Sequence, residues 1–253
     1  TNNSKEDYNL TQPGQVWDAS SRNAHWKNRR AGQPFFAVFN YTDSHEGATR
    51  GMGAKYDEAM TRLKPEHRQD PNAITPPPYH PDTPAVRKNW AAYYQLLTVL
   101  DYWVAEKLQE LEDAGLAEDT IVFLWTDHGQ GMPRCKRWPY DSGTHVPLIA
   151  YVPEKWRRWA GIGGGLVEDR MVSSIDLAPT VLPFMGINAS RQREYAYSAR
   201  DRMDERYDTI RTVRDKRYRY VRNYMPHKPY DQFMNTAEKS PIKKEIHKQP
   251  DGG

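Results

Sequence analysis

A short β-branched and aromatic run, Thr120–Trp125 (TIVFLW), constrains the fold more than any other stretch of these 253 residues. Ahead of it stands Thr126-Asp127-His128-Gly129, and a second apolar run follows over Val146–Val152. Upstream, Pro34–Tyr41 (PFFAVFNY) is a third run of the same kind. Nearly unbroken apolar runs of this length are the mark of strands buried on both faces. Between Tyr41 and Thr120 lies the strongest helical pattern. Thr83 is an N-cap and Pro84 stands at the first helical position. Trp90, Tyr93, Tyr94, Leu97, Leu100, Val104, Leu108 and Leu111 then repeat at helical spacing up to Gly115, a C-terminal stop. We read that stripe as core packing and Asp101 as a satisfied core or rim carboxylate rather than a catalyst. A strand, a helix and a strand in that order predict a βαβ unit with a right-handed crossover. The expected class is α/β, a mostly parallel sheet flanked by helices.

The composition shifts after residue 190. Thr209–Val213 and Tyr218–Tyr224 alternate about Asp215-Lys216, as a hairpin does. Residues 1–190 are therefore expected to form a partial α/β domain. Residues 191–253 are expected to form a small C-terminal antiparallel subdomain with a polar tail. A helix is expected near residues 16–29, a long loop over 48–82, and a short helix from Ser174 to about Met185, stopped by Gly186.

Composition excludes several classes. The charge is nearly balanced at +3, so no field for nucleic acid is implied. No apolar run approaches the roughly 20 residues of a membrane span. Cys135 is the one cysteine, which excludes an intrachain disulfide. The chain begins at Thr1 and ends in a polar Lys-Gln-Pro-Asp-Gly-Gly, which reads as a piece of a longer protein.

The chemistry gathers at strand C-termini, where ligands of open α/β sheets sit. Asp127 offers a hard oxygen and His128 an imidazole nitrogen to a metal; on these residues alone, a turn with a capping Asp fits equally well. Lys136, in a Lys-x-x-x-Tyr spacing, can neutralise an oxygen of a transferring sulfuryl or phosphoryl group. His45 can hold such an oxygen or shuttle a proton. Together they suit hydrolysis of an anionic ester at a divalent cation. Arg200-Asp201-Arg202-Met203-Asp204-Glu205-Arg206 reads either as a salt-bridged surface loop or as a substrate rim, with Arg200 or Arg202 gripping an anionic sugar. His227 would belong to the same rim or to a surface turn.

Four segments in this order resemble the C-terminal portion of a type I sulfatase, within the alkaline phosphatase superfamily. Pro34–Asn40 followed by Asp43-Ser44-His45 resembles the family strand that ends in an active-site histidine. Thr120–Gly129 resembles the strand that delivers two metal ligands, and Lys136–Pro147 the segment with the sulfate-binding lysine. Val172–Thr180 resembles a structural signature of the family. The likeness is nearest to sulfatases of sulfated carbohydrates, including sulfamidase-like ones. The resemblance implies that Asp127 and His128 ligate a divalent cation, calcium in the family. It implies that Lys136 and His45 contact the sulfate. It also implies a sulfated carbohydrate or other small sulfate ester as substrate, and a periplasmic or secreted enzyme; the oligomeric state is left open.

Two departures qualify this. Where many sulfatases have Asn, this chain has His128, and imidazole suits Mn²⁺ or Zn²⁺ better than Ca²⁺. The formylglycine nucleophile of the family is made within Cys/Ser-x-Pro-x-Arg, a motif these 253 residues lack. The segment alone is expected to be inactive, with the nucleophile in the parent enzyme. The alternatives are a phosphonate or phosphodiester hydrolase of the same superfamily, and a non-catalytic binding module.

Overall fold

The computed structural model describes the chain apart from residues 4, 7, 9, 12–13, 161–162, 183–192 and 250–253. It divides into two compact units, Thr1–Ser44 and His45–Gly253.

In the first unit, β1 (Asn2–Asn3) pairs in parallel with β2 (Val38–Phe39). Asn2 is buried and donates through Nδ2 to Lys5 O (2.9 Å) and Ser20 Oγ (3.1 Å). Trp26 stacks on Phe35 with 5.4 Å between centroids, and the Arg29 guanidinium lies over both rings. The helix expected over 16–29 is reduced to a 3₁₀ turn, Trp26–Asn28. Polar side chains there take backbone donors for themselves: Ser21 Oγ accepts from Asn23 N–H (3.2 Å), and His25 Nδ1 from Lys27 N–H (3.1 Å).

The second unit opens with α1 (Glu46–Gly51) and α2 (Ala54–Met60), where the sequence suggested only loop. Then comes α3 (Pro84–Asp113), capped as expected: Thr83 Oγ1 accepts from Val86 N–H, and Gly115 takes a left-handed φ of 65° beyond its end. Its buried face is turned from the expected one. Val86, Trp90, Leu96 and Val99 are buried, whereas Tyr94 and Leu108 are exposed. Trp90, Val86 and Ala91 pack with Ile74, Met132, Cys135 and Ile242 in one core, each large side chain contributing about 1.5–3 kcal/mol.

β3 (Val122–Trp125) pairs antiparallel with β4 (Leu148–Tyr151), Val122 opposite Tyr151 and Trp125 opposite Leu148. Between them lies α4 (Asp141–Thr144); α5 (Glu154–Ala160) and α6 (Leu177–Val181) follow. Met185 and Gly186, where the sequence ends that last helix, lie outside the described residues.

The expected parallel pairing of β2 with β3 is not among the described pairings; among the described residues the strand pair that runs parallel is β1 with β2. The connection from β3 to β4 is a folded loop rather than a crossover helix, which fits an antiparallel pair. Ile149 on β4 is 59% exposed, so the apolar faces of this ribbon are open rather than doubly buried.

The C-terminal antiparallel sheet is present as expected, ordered β5 (Ala196–Met203), β6 (Arg206–Arg214), β7 (Arg219–Asn223). It belongs to the same unit as α3. The boundary expected at 190/191 itself falls outside the described residues. Two short helices, α7 (Asn235–Glu238) and α8 (Pro241–Ile246), follow, and α8 packs on α3 through Ile242.

Candidate active site

The loop from Gly129 to Tyr140 builds the site. Its inner side is fixed to the core. Met132 and Cys135 are buried against Trp90 and Ile242. Trp90 Nε1–H donates to His80 Nδ1 (3.2 Å), leaving Nε2–H of that buried imidazole to donate to Pro133 O (2.9 Å). Burial lowers the His80 pKa, in keeping with this neutral form. Cys135 is fully buried within that packing, and burial pushes its thiol up.

The outer side of the loop carries the cations. Lys136 Nζ stands 3.4 Å from His45 Nε2 and 3.4 Å from Glu46 Oε1. Arg137 holds Glu46 with two hydrogen bonds, and Arg50 Nη2 stands 3.5 Å from Glu46 Oε1. Burial pushes the Glu46 carboxyl up, but Arg137, with Lys136 and Arg50, outweighs it and holds it at about 2. The close approach needs Gly131: a Cβ there would stand 2.3 Å from Glu46 Cβ. Backbone strain marks the same loop, since Arg134 and Arg137 both have left-handed φ, 66° and 72°.

His45 caps α1, and the cap bears on its tautomer. Nδ1 accepts from Gly47 N–H (3.3 Å), a bond that in a neutral ring puts the proton on Nε2. The Lys136 ammonium lies 3.4 Å from Nε2 and can only donate, so it and Gly47 N–H compete for the one lone pair of a neutral His45 ring. An oxyanion placed beside Lys136 would take its ammonium as a donor.

Asp127 and His128 follow directly on β3. His128 Nδ1–H donates to Gly129 O (2.7 Å), leaving Nε2 as a lone-pair donor 3.6 Å from Asp127 Oδ1. One divalent cation can bridge two ligand atoms at that separation. Among the described residues no third His, Cys, Asp or Glu joins them in a metal-holding group. The pair fits part of a divalent site and does not complete one.

The residues proposed for a substrate rim are placed differently. Arg200 is buried, 6% exposed, and bonds Asp208 through Nε (2.9 Å) and Nη2 (2.6 Å). Its Nη1 donates to Arg137 O (2.9 Å), and its guanidinium lies 4.4 Å over the Trp138 ring. It props the loop from beneath. Neither it nor Arg202 is on a surface loop; both are on β5. Arg202 is exposed and donates to Asp204 O (2.9 Å), and His227 lies on an exposed turn. Glu46, Arg134 and Arg137 were missed by sequence reasoning, although each stands within two positions of His45 or Lys136.

The family model described as Sulfatase matches residues 1–187. The chain belongs to the sulfatase family. An ulvan-active sulfatase of Formosa agariphila is 34% identical over 97% of this chain and 47% of its own length. A human N-sulphoglucosamine sulphohydrolase is 38% identical over 47% of this chain and 22% of its own. A solved phosphonate monoester hydrolase from Silicibacter pomeroyi superposes with a TM-score of 0.47 at 22% identity, covering 76% of this chain and 42% of that one. This sulfatase-family chain thus spans about half the length of the ulvan-active relative. The family generally implies a divalent metal and a formylglycine. No helix among the described residues is long and apolar enough to cross a membrane.

Proposed function

We propose that the complete protein hydrolyses a sulfuric ester of an anionic carbohydrate, and that this chain supplies one side of its active site. The observation that carries this reading is the meeting of Lys136 Nζ with His45 Nε2, 3.4 Å apart, on the loop after β3 and at the start of α1. Lys136 would neutralise a sulfate oxygen, and Glu46 would keep its ammonium in place. Protonated to the imidazolium, His45 would donate Nε2–H to the leaving alkoxide and return to the neutral ring. Asp127 and His128 would be two ligands of a divalent cation, with the remaining ligands and the formylglycine nucleophile supplied by residues outside this chain. Bound there, such an ion supplies positive charge that polarises the ester. A nitrogen ligand at His128 favours Mn²⁺ or Zn²⁺ over Ca²⁺. The ulvan-active sulfatase and the N-sulphoglucosamine sulphohydrolase among the relatives support a sulfated carbohydrate as substrate, and the family resemblance supports a periplasmic or secreted setting.

The test compares the complete protein on 4-nitrophenyl sulfate and on bis(4-nitrophenyl) phosphate. The sulfatase reading expects kcat/KM to be higher on the sulfate. A preference for the phosphodiester would replace it with the phosphodiesterase reading. Turnover of neither would leave a binding module.

A further inference from the structure

A cavity of about 320 Å³ opens beside Lys136, between the Gly129–Tyr140 loop and the C-terminal helices. That volume lies at the lower end of the range for small-molecule sites. Its walls include Tyr79, Trp138 and Tyr230, and it is lined by more cations than acids. Most of those cations are already committed. Arg50, Lys136 and Arg137 share Glu46. Arg206 bonds Asp208, and Lys243 pairs with Asp231. Arg134 differs: among the described residues no carboxylate lies within ion-pair distance of it.

Its guanidinium is nevertheless held. It stands 4.8 Å from the Tyr79 centroid and 5.2 Å from that of Tyr140. Its carbonyl accepts from Ser142 Oγ–H (2.6 Å), fixing a backbone in the left-handed region. A side chain from such a backbone, braced by two rings, is pre-organised, so little entropy is lost when an anion binds it. Arg134 and Lys136 flank Cys135, whose side chain points into the core, and both line the cavity. Aromatic walls suit the apolar face of a sugar ring, and a guanidinium suits a planar or tetrahedral oxyanion.

We propose that this cavity is a subsite for a second oxyanion group on the substrate, a carboxylate or sulfate of the sugar, with Arg134 as the residue that binds it. The proposal deepens the sulfatase reading and rests on it for the identity of the ligand, but its test needs no turnover. Calorimetry on the complete protein would compare three disaccharides: one with a glucuronate carboxylate, the same compound with that carboxyl reduced to an alcohol, and the reduced compound bearing one sulfate. A charge-assisted contact of this kind corresponds to about a 10- to 100-fold tighter Kd for a charged ligand than for the neutral one. Whichever charged ligand binds more tightly names the group. In Arg134→Gln and Arg134→Ala the preference should fall to less than about threefold, and Arg134→Lys should retain part of it. Equal binding of all three ligands, no binding of any, or a preference that survives in Arg134→Gln would overturn the subsite. The comparison among ligands on the unaltered protein stands even if a variant fails to fold. Loss of the sulfatase reading would show separately, as absent turnover of 4-nitrophenyl sulfate.

Discussion

Arg137 grips Glu46 through two hydrogen bonds, Nη1 to Oε2 at 2.8 Å and Nη2 to Oε1 at 2.6 Å. The same carboxylate stands 3.4 Å from Lys136 Nζ, so one buried anion ties α1 to the loop that carries Lys136. This makes the site sensitive to acid. The Glu46 carboxyl is held at about 2 in the folded chain, against 4.5 for an unperturbed one. A folded-state pKa below the unfolded value gives stability that is complete above the unfolded pKa. That stability is lost as pH falls from about 4.5 towards 2, and its size is roughly 3 kcal/mol. Urea unfolding at pH 7 and at pH 3 should show the loss, and Glu46→Gln should flatten this part of the pH dependence. A Glu46→Gln profile as steep as the parent's between those pH values would contradict the assignment.

Gly131 tests how closely the loop must approach α1. A Cβ at this position would stand 2.3 Å from Glu46 Cβ and 2.8 Å from its Cα, and backbone cannot move aside as a flexible side chain can. Gly131→Ala should destabilise the protein by about 1–3 kcal/mol, as overpacking does. Denaturant midpoints measure this directly. A midpoint within error of the parent's would mean the loop does not lie so close to Glu46.

Some of this was legible in the sequence because it is local. Thr83-Pro84 and Gly115 bound α3 through neighbouring backbone groups, and the alternation about Asp215-Lys216 announces the β6–β7 hairpin. His45, Asp127, His128 and Lys136 were visible as chemistry placed after apolar runs. What could not be read depends on distant pairs. Glu46 and Arg137 are 91 residues apart, and nothing near either one signals the other. The fate of Arg200 is set by strand pairing. A register shift between Arg200 and Arg202 accompanies the pairing of β5 with β6, and Arg200 is bonded to Asp208 in the interior. The α3 stripe failed in part because periodicity gives a face but not what covers it. Its C-terminal half has few neighbours among the described residues, and Leu108 remains exposed.

Asp208 carries the next expectation. It is buried, and it accepts from both Arg200 and Arg206, whose guanidiniums lie 4.4 and 4.2 Å from the Trp138 centroid. Asp208→Asn would leave two buried cations without a counter-charge, a change that costs about 3–5 kcal/mol. Unfolding followed by tryptophan fluorescence should show this loss. The loop should also loosen, because Arg200 Nη1 donates to Arg137 O. A variant as stable as the parent would show that solvent reaches these arginines.

His45 and Lys136 can be separated from the fold by choice of substitution. His45 also caps α1, because Nδ1 accepts from Gly47 N–H. His45→Asn keeps a good capping side chain while removing the ring Nε2 that meets Lys136. Lys136→Ala removes the ammonium from a side chain that is 15% exposed, and leaves Arg137 and Arg50 to neutralise Glu46. In the complete protein each change should lower kcat/KM on 4-nitrophenyl sulfate by about 10²–10³, the usual cost of removing one donor to a developing oxyanion. Melting temperatures should move far less than activity. On the proposed reading both side chains address one group, so the double variant should lose less than the product of the two single losses. Multiplicative losses would mean that His45 and Lys136 act on different atoms, and wild-type rates in either variant would remove that residue from the site.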